Sequence, residues 1–156
     1  MLNNANLFLS VTQSLARLVT DFAEAEMPGS QVINWDDHAN INELPEQDVI
    51  GLAGIGLAED EPKKYAITLG IMISTWNDPG LHRLTTAISK LFGQIAPGTR
   101  ITVYTLSDNG LAADEASWMV TTLPRAALPI TKAEVRAIQA VECQLLLDPG
   151  ATSSLR

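Results

Sequence analysis

Two apolar runs on either side of a short polar link constrain the fold of this chain more than any other feature. The first run covers residues 49–58, and the second, KYAITLGIMISTW, covers residues 64–76. The second run is rich in β-branched and aromatic residues, which strands prefer. Because the link EDEPKK is too short for a crossover, the pair predicts an antiparallel β-hairpin.

Two other segments have the spacing of apolar residues that is typical of amphipathic helices. In residues 6–26 the stripe consists of Phe8, Val11, Leu15, Leu18 and Phe22, and the sequence PGS at 28–30 ends the helix. Residues 77–95 predict a second helix, which Asp78 can cap and in which Pro79 occupies the first position.

The remaining elements are short strands at 31–35, 99–106 and 117–123, the last of which Pro124 is expected to end. Residues 107–116 predict a loop with an Asn-Gly turn signal at 109–110. Residues 133–147 are ambiguous. Thr131 and Glu134 resemble the capping box of a helix, but the apolar side chains fall on odd positions, and we predict a strand.

The predicted order is therefore α-β-β-β-α-β-β-β. It indicates one α+β domain over residues 1–150, with two helices packed on a mainly antiparallel sheet, and a flexible tail at 151–156. At 156 residues the chain is long enough to bury a substantial core.

The composition bears on partners and compartment. Charged residues make up only 18% of the chain, so we expect some apolar surface to be buried against partners. The net charge is −8 and no cluster of Lys and Arg occurs, which argues against a surface that grips nucleic acid. The N-terminus lacks the pattern of a signal peptide, and no apolar run has the length of a membrane span. We expect a soluble protein made in the cytoplasm.

The stretch VIGLAGIGLAED, residues 49–60, contains three glycines and invites comparison with a phosphate-binding loop. Such loops need a Gly-Lys-Ser/Thr sequence or a helix directly after the glycines. Here Gly56 is followed by Leu57, Ala58 and three acidic residues, Glu59, Asp60 and Glu61, which would repel phosphate. We therefore interpret the stretch as a strand whose glycines mark a bulge or the close approach of another backbone.

Three other groups of residues are candidates for chemistry. Asp36, Asp37 and His38 are adjacent and suggest a metal site, but no second histidine lies at ligand spacing, and a polar loop is the simpler interpretation. Cys143 is the only cysteine, so a disulfide framework is excluded, and its place on an apolar face predicts a core residue. Residues 107–116 lack the ligand pattern of an EF-hand. We predict no cofactor.

Each of the three tryptophans lies at the edge of a predicted strand, where Trp35, Trp76 and Trp118 would serve as anchors of the core or of an interface. We also consider that the first helix packs against a neighbouring subunit rather than only against its own core.

The predicted arrangement resembles the small ring-forming tail proteins of bacteriophages, namely tail-terminator or tail-completion proteins and baseplate-end adaptors of contractile tails. The features that carry the resemblance are the N-terminal helix NLFLSVTQSLARLVTDF, the order YAITLGIMISTW, PGLHRLTTAISKLFGQI and RITVYTL, and the closing VRAIQAVECQLLL. The resemblance covers most of residues 6–147 and depends on the order and size of the elements.

The resemblance implies a non-enzymatic virion subunit that assembles into a ring, typically a hexamer, at one end of the tail tube. It implies contacts with tube, sheath or baseplate components, and an acidic lumen through which DNA passes without specific binding. A closed ring needs two different contact patches. We expect them in the hairpin 49–76 and the loop 107–116, with the interface residues Gly51, Gly54, Ile55, Gly56, Leu57, Trp76, Asn109 and Leu111.

Two other classes of function remain open from the sequence. One is a small α+β ligand-binding or metal-dependent enzyme domain that uses the loop of Asp36, Asp37 and His38. The other is a bacterial regulatory or adaptor module that binds a protein partner.

Overall fold

The computed structural model describes residues 2–3, 5–37, 43–61, 64–107, 110–126, 131–133 and 135–148. These residues form an α+β fold, as predicted. In chain order the elements are α1 (Leu7–Glu26), β1 (Gln31–Asn34), β2 (Val49–Glu61), β3 (Lys64–Trp76), α2 (His82–Gln94), β4 (Arg100–Ser107), β5 (Gly110–Ala126), β6 (Thr131–Ala133) and β7 (Arg136–Asp148). Single 3-10 turns precede α2 at 79–81 and follow β1 at 35–37.

The strands form one mixed sheet in the order β1-β2-β3-β7-β5-β4. Among the described strands only β1 and β2 pair in parallel, and β2 and β3 form the predicted antiparallel hairpin. Along one edge β7 pairs with β3, and along the other it pairs with β6 and β5. The short strand β6 was not predicted, because three residues carry no readable alternation.

Alternating burial explains why β3 and β7 are strands. In β3 the buried side chains of the inner face are Tyr65, Ile67, Leu69, Ile71 and Ile73. In β7 the matching set is Ala137, Val141, Cys143, Leu145 and Leu147. The register pairs odd with odd positions, so both sets share one face of the sheet. Glu142 and Gln144 are exposed on the other face. The strand predicted at 133–147 is confirmed from Arg136 onward, whereas Ala133 belongs to β6, which pairs with the start of β7.

Both helices pack on this inner face, and the sheet curls around α1. At one edge the Ser14 hydroxyl accepts the backbone N–H of Tyr104 in β4, at 2.8 Å. Near the other edge α1 packs beside β1 and β2. Phe22 in α1 and Leu84 and Leu91 in α2 are fully buried in the shared core.

The predicted loop at 107–116 is wrong, because Gly110 onward belongs to β5. Ser107 pairs with Gly110, so β4 and β5 form a hairpin around the predicted turn signal. Residues 111–114 pair with β4, a register shift leaves residues 115–117 without a β4 partner, and all of them lie beyond Trp118, the residue of β5 that pairs with Asp148 of β7. A strand segment that is paired along one edge does not need the apolar alternation of the central strands, and this is why its sequence looks like a loop.

The expectation that Pro124 ends the strand is wrong, because β5 continues past it to Ala126. Pro124 lies within β5 opposite Cys143, just after a register shift between Thr121 and Leu123. The pairing of β4 with β5 has already ended at Val120, so the proline occupies an edge segment next to a bulge. Proline is tolerated at both kinds of position.

The second helix begins later than predicted. Gly80 (φ 72°) and Leu81 (φ 59°) have left-handed backbone conformations, which interrupt the helix before His82. Asp78 still acts as a cap, because its carboxylate accepts the backbone N–H groups of Arg83 and Leu84 at 3.1 and 2.9 Å. Burial acts to raise the pKa of Asp78, but these hydrogen bonds, the Thr75 hydroxyl and the Arg83 charge outweigh it, and the pKa lies below its ordinary value.

Candidate interaction surface

Gly54 lies at a β-bulge in β2. Ala53 pairs with Gly70 and Gly56 pairs with Thr68, which leaves two residues of β2 opposite one residue of β3. Gly54 has a φ of +59°, in the left-handed region that costs other residues about 1–2 kcal/mol. The prediction that a glycine in this stretch marks a bulge is therefore confirmed.

Gly51 is the point of close backbone approach in the same strand. A Cβ atom at this position would lie 2.4 Å from the backbone oxygen of Ile33 in β1. The predicted close approach thus occurs within this chain, between β1 and β2. Whether Gly51 also contributes to a contact between subunits stays a prediction.

The other predicted contact residues of β2 lie along the hairpin. Ile55 and Leu57 are half-buried and pack against the core. Gly56 faces Thr68, whose hydroxyl oxygen would lie 2.8 Å from a Cβ at Gly56. Since β2 continues to Glu61 and a strand follows it, the interpretation of 49–60 as a strand instead of a phosphate loop is confirmed.

The predicted acidic residues and the second predicted patch lie elsewhere on the molecule. Glu59 is exposed, and Asp60 and Glu61 complete β2 at the tip end of the hairpin. Leu111 lies in β5, paired with Leu106 of β4. Asn109 lies outside the described residues. The structure therefore does not gather the predicted site residues into one place.

Trp76 lies at the opposite end of the hairpin and is held by contacts within the chain. Its backbone N–H donates to Asp48 at 2.9 Å, and its carbonyl accepts a hydrogen bond from Arg83 at 2.5 Å. Arg83 also donates to both carboxylate oxygens of Asp48, at 3.0 and 3.1 Å. The guanidinium of Arg136 lies 5.1 Å from the centre of the Trp76 ring. Trp76 is half-buried, and its role as a subunit contact stays a prediction.

Arg136 is a buried cation that the sequence did not reveal. It points to the outer face of the sheet, yet it is only 3% exposed, because residues 44–48 lie over it. Its guanidinium donates to Ser74 at 2.8 Å, to the Gln47 carbonyl at 3.3 Å and to the Pro45 carbonyl. Burial lowers the pKa of Arg136, while the charge of Asp48 acts in the opposite direction. In the sequence Arg136 reads as an ordinary solvent-facing residue, and nothing local indicates the segment that covers it.

A groove with a largely apolar lining lies between α1 and β1, and we call it the α1–β1 groove. It has a volume of about 550 Å³ and is partly open to solvent. Its apolar lining includes Phe8, Val19, Val32, Ile33, Leu52 and Ile55. Phe8 is 54% exposed and Val32 is 40% exposed, so large apolar surface faces water here. Phe8 belongs to the apolar stripe predicted for α1, but it is exposed, whereas Val11, Leu15 and Phe22 of the same stripe are buried.

Asp36 lies at the end of this groove. Its carboxylate accepts the backbone N–H of Gly54 at 3.0 Å, and the side chain of Asn34 accepts the N–H of Asp36 at 3.2 Å. Asp37 is exposed next to it, and His38 lies outside the described residues. The metal-site hypothesis for these three residues is therefore not tested by the geometry.

The outer face of the sheet is a second open surface. Its exposed side chains include Thr68 in β3 and Gln144 and Leu146 in β7, and Leu146 is 42% exposed. A shallow groove of about 520 Å³ crosses this face over small residues such as Gly70 and Ala140. Small side chains let another backbone approach the sheet closely.

Cys143 is a core residue, as predicted. It is 4% exposed on the inner face, and burial raises the pKa of its thiol to about 11. A thiol that stays protonated at neutral pH is a poor nucleophile. Among the residues that the structure describes, no group of three or more His, Cys, Asp and Glu side chains lies close enough to hold a metal ion.

Comparisons with known proteins do not add a family. No family model matches the sequence, and no curated protein matches it significantly. Within the described ranges, neither helix is both long enough and apolar enough to cross a membrane.

Proposed function

We propose that this chain is a non-enzymatic structural subunit that assembles with copies of itself into a ring, with six copies expected, at one end of a bacteriophage tail tube and joins tail components there. The observation that carries the proposal is that one small domain exposes two surfaces, the α1–β1 groove and the outer face of the sheet, which adjoin at Asp36 because this residue lines both grooves.

A ring subunit needs two different self-contact patches, because a heterologous contact that closes by rotation joins unlike surfaces. We assign one patch to the outer face of the β2–β3 hairpin with the neighbouring part of β7, and the other to the hairpin of β4 and β5, which leaves the α1–β1 groove for another tail component. The exposed Leu146 and the small residues of the outer face suit close packing against another chain. The resemblance in the order of elements supports the bacteriophage context.

Size-exclusion chromatography with light scattering and negative-stain electron microscopy test the proposal. We expect a ring of defined stoichiometry, or its formation when purified tail tubes are added. Leu146→Glu is expected to prevent assembly without unfolding the domain, because the side chain is 42% exposed. Leu9→Glu is the matched control, since Leu9 is 45% exposed on α1.

A protein that stays monomeric at high concentration and does not bind tail tubes would contradict the proposal. Gly54→Arg is also expected to disturb assembly, as the glycine lies on the same hairpin. Because its φ is +59°, the substitution also costs about 1–2 kcal/mol of folding free energy, so it separates assembly from folding less cleanly than Leu146→Glu.

A further inference from the structure

We propose that the α1–β1 groove binds an extended segment of a partner protein that carries apolar side chains and a lysine or arginine. The inference rests on the proposed function, in which the chain joins other proteins, and it names the chemistry of one such partner. It depends on an open strand edge, an apolar groove beside that edge, and a carboxylate at the groove's end.

The first step is the strand edge. β1 ends the sheet on its side, and among the described residues it pairs with β2 alone. Three of its four residues, Gln31, Val32 and Asn34, are exposed. Extended peptides bind such edges by adding a strand, because the free backbone N–H and C=O groups recur at the strand repeat. The edge therefore selects a partner in extended conformation.

The second step is the groove itself. It lies directly beside β1 and has a volume of about 550 Å³. Phe8 and Val32 contribute exposed apolar surface, and Ile55 lies at its floor with part of its side chain accessible. Successive side chains of an added strand point to opposite faces, so every second side chain would enter the groove. The partner segment therefore carries apolar residues at alternate positions.

The third step is the charge of Asp36. Its hydrogen bond from the Gly54 N–H holds the carboxylate at the end of the groove. In the described part of the chain no Lys, Arg or His forms an ion pair with Asp36, and Asp37 beside it is also exposed. A held carboxylate without a cation is complementary to a basic side chain, which would form a charge-assisted hydrogen bond. The partner segment therefore carries a Lys or Arg.

The charge and shape of the site favour a different protein over other occupants. A second copy of this chain has a net charge of −8, so its surface is a poor match for Asp36 and Asp37. Small-molecule sites usually enclose most of their ligand, whereas this groove is partly open to solvent, with Phe8 and Val32 exposed in its lining. A basic, extended protein segment satisfies the edge, the groove and the carboxylate together.

Selection from a bead-displayed library of random nonapeptides tests the proposal, with the fluorescent full-length chain as the probe. We expect the selected peptides to alternate apolar residues and to contain Lys or Arg. Fluorescence anisotropy then gives the dissociation constant of one selected peptide. Asp36→Asn, which keeps an acceptor for the Gly54 N–H, and Phe8→Ser should each weaken binding by about tenfold. Leu146→Ser, on the outer face, is the matched control and should leave binding unchanged.

Hydrogen exchange gives an independent readout, because an added strand should protect the backbone amides of Val32 and Asn34 when the peptide is bound. The Gln31 N–H already donates to the Asp48 carbonyl at 3.0 Å, on the β2 side of the strand. The proposal is overturned if no peptide is selected, if the selected peptides lack Lys and Arg, or if Phe8→Ser and Asp36→Asn bind as tightly as the wild type. Self-association that Phe8→Ser abolishes would also overturn it, since the occupant would then be a second copy.

The test of peptide binding and the test of ring formation give separate results. Peptide binding is measured on the chain whatever its oligomeric state, and ring formation is measured with Leu146→Glu. If Asp36→Asn assembles normally but loses the peptide, both proposals stand. If the wild type binds the peptide but never assembles, only the ring is refuted.

Discussion

Replacement of Gly51 by alanine is the sharpest test of how β1 is held on the sheet. An alanine Cβ at this position would lie 2.4 Å from the backbone oxygen of Ile33 and 3.1 Å from its Cγ1 atom. The nearest atom belongs to the backbone, so a side-chain rotation cannot relieve the clash, and β1 has to move. Forced overpacking of this kind costs about 1–3 kcal/mol. For a chain of this length the loss lowers the Tm by roughly 2–12 °C.

Urea unfolding followed by circular dichroism measures the free energy of unfolding, and hydrogen exchange at Gln31–Asn34 reports on β1 itself. Gly93→Ala is the matched control, because nothing lies within 4 Å of a Cβ at Gly93 in α2. It should stabilise the protein by about 0.5–1 kcal/mol, since glycine is unfavourable inside a helix. If Gly51→Ala is as stable as Gly93→Ala and leaves the exchange of β1 unchanged, the close approach of β1 to Gly51 is refuted.

Three further predictions concern buried groups. Arg136→Met should lose about 1–3 kcal/mol of stability, because the Pro45 and Gln47 carbonyls lose their hydrogen-bond donor. The substitution should also expose residues 44–48 to limited proteolysis. Equal rates of proteolysis for the wild type and the variant would contradict this prediction. Asp78→Ala should cost about 0.5–2 kcal/mol by thermal unfolding. Because the pKa of Asp78 is lowered in the folded state, its carboxylate contributes its full stabilisation at pH values above the pKa of the unfolded chain. This stabilisation is lost as the pH falls through the folded-state pKa, so the difference in Tm between the wild type and Asp78→Ala should narrow in acid. Burial raises the pKa of Cys143 from 9.0 to about 11. The free energy of unfolding of the wild type, relative to that of Cys143→Ala, should therefore be constant below pH 9 and fall between pH 9 and 11 by at most about 1.4 kcal/mol per pH unit. If urea unfolding shows no change in this difference across that range, the thiol is accessible to solvent.

Much of the fold could be predicted from local patterns. The helix α1 and the strand β7 follow from a periodicity of apolar residues that extends over ten or more positions, and the hairpin of β2 and β3 follows from two apolar runs joined by a short polar link. The periodicity of β7 also outweighed the capping-box signal of Thr131 and Glu134. A helix would have turned Glu142 toward the apolar face, whereas the strand exposes it on the outer face.

The candidate site could be predicted only in part. Gly54 and the acidic pair of Asp36 and Asp37 stood out in the sequence, but their contact through the Gly54 N–H did not. Phe8 belongs to the apolar stripe of α1, and yet it is largely exposed beside β1. A stripe indicates which side of a helix faces apolar neighbours. It does not show which residues along the stripe are buried by neighbouring elements and which stay exposed.

By itself the sequence determined the α+β class, the principal helix and strands, and the exclusion of a phosphate loop at 49–60. Only the tertiary structure decided that β1 pairs in parallel with β2, that residues 44–48 bury Arg136, and that a groove opens between α1 and β1. The physical reason is the range of the interactions. Periodicity reports which side chains of one segment avoid water, whereas strand pairing, covering segments and grooves depend on contacts between residues far apart in the chain.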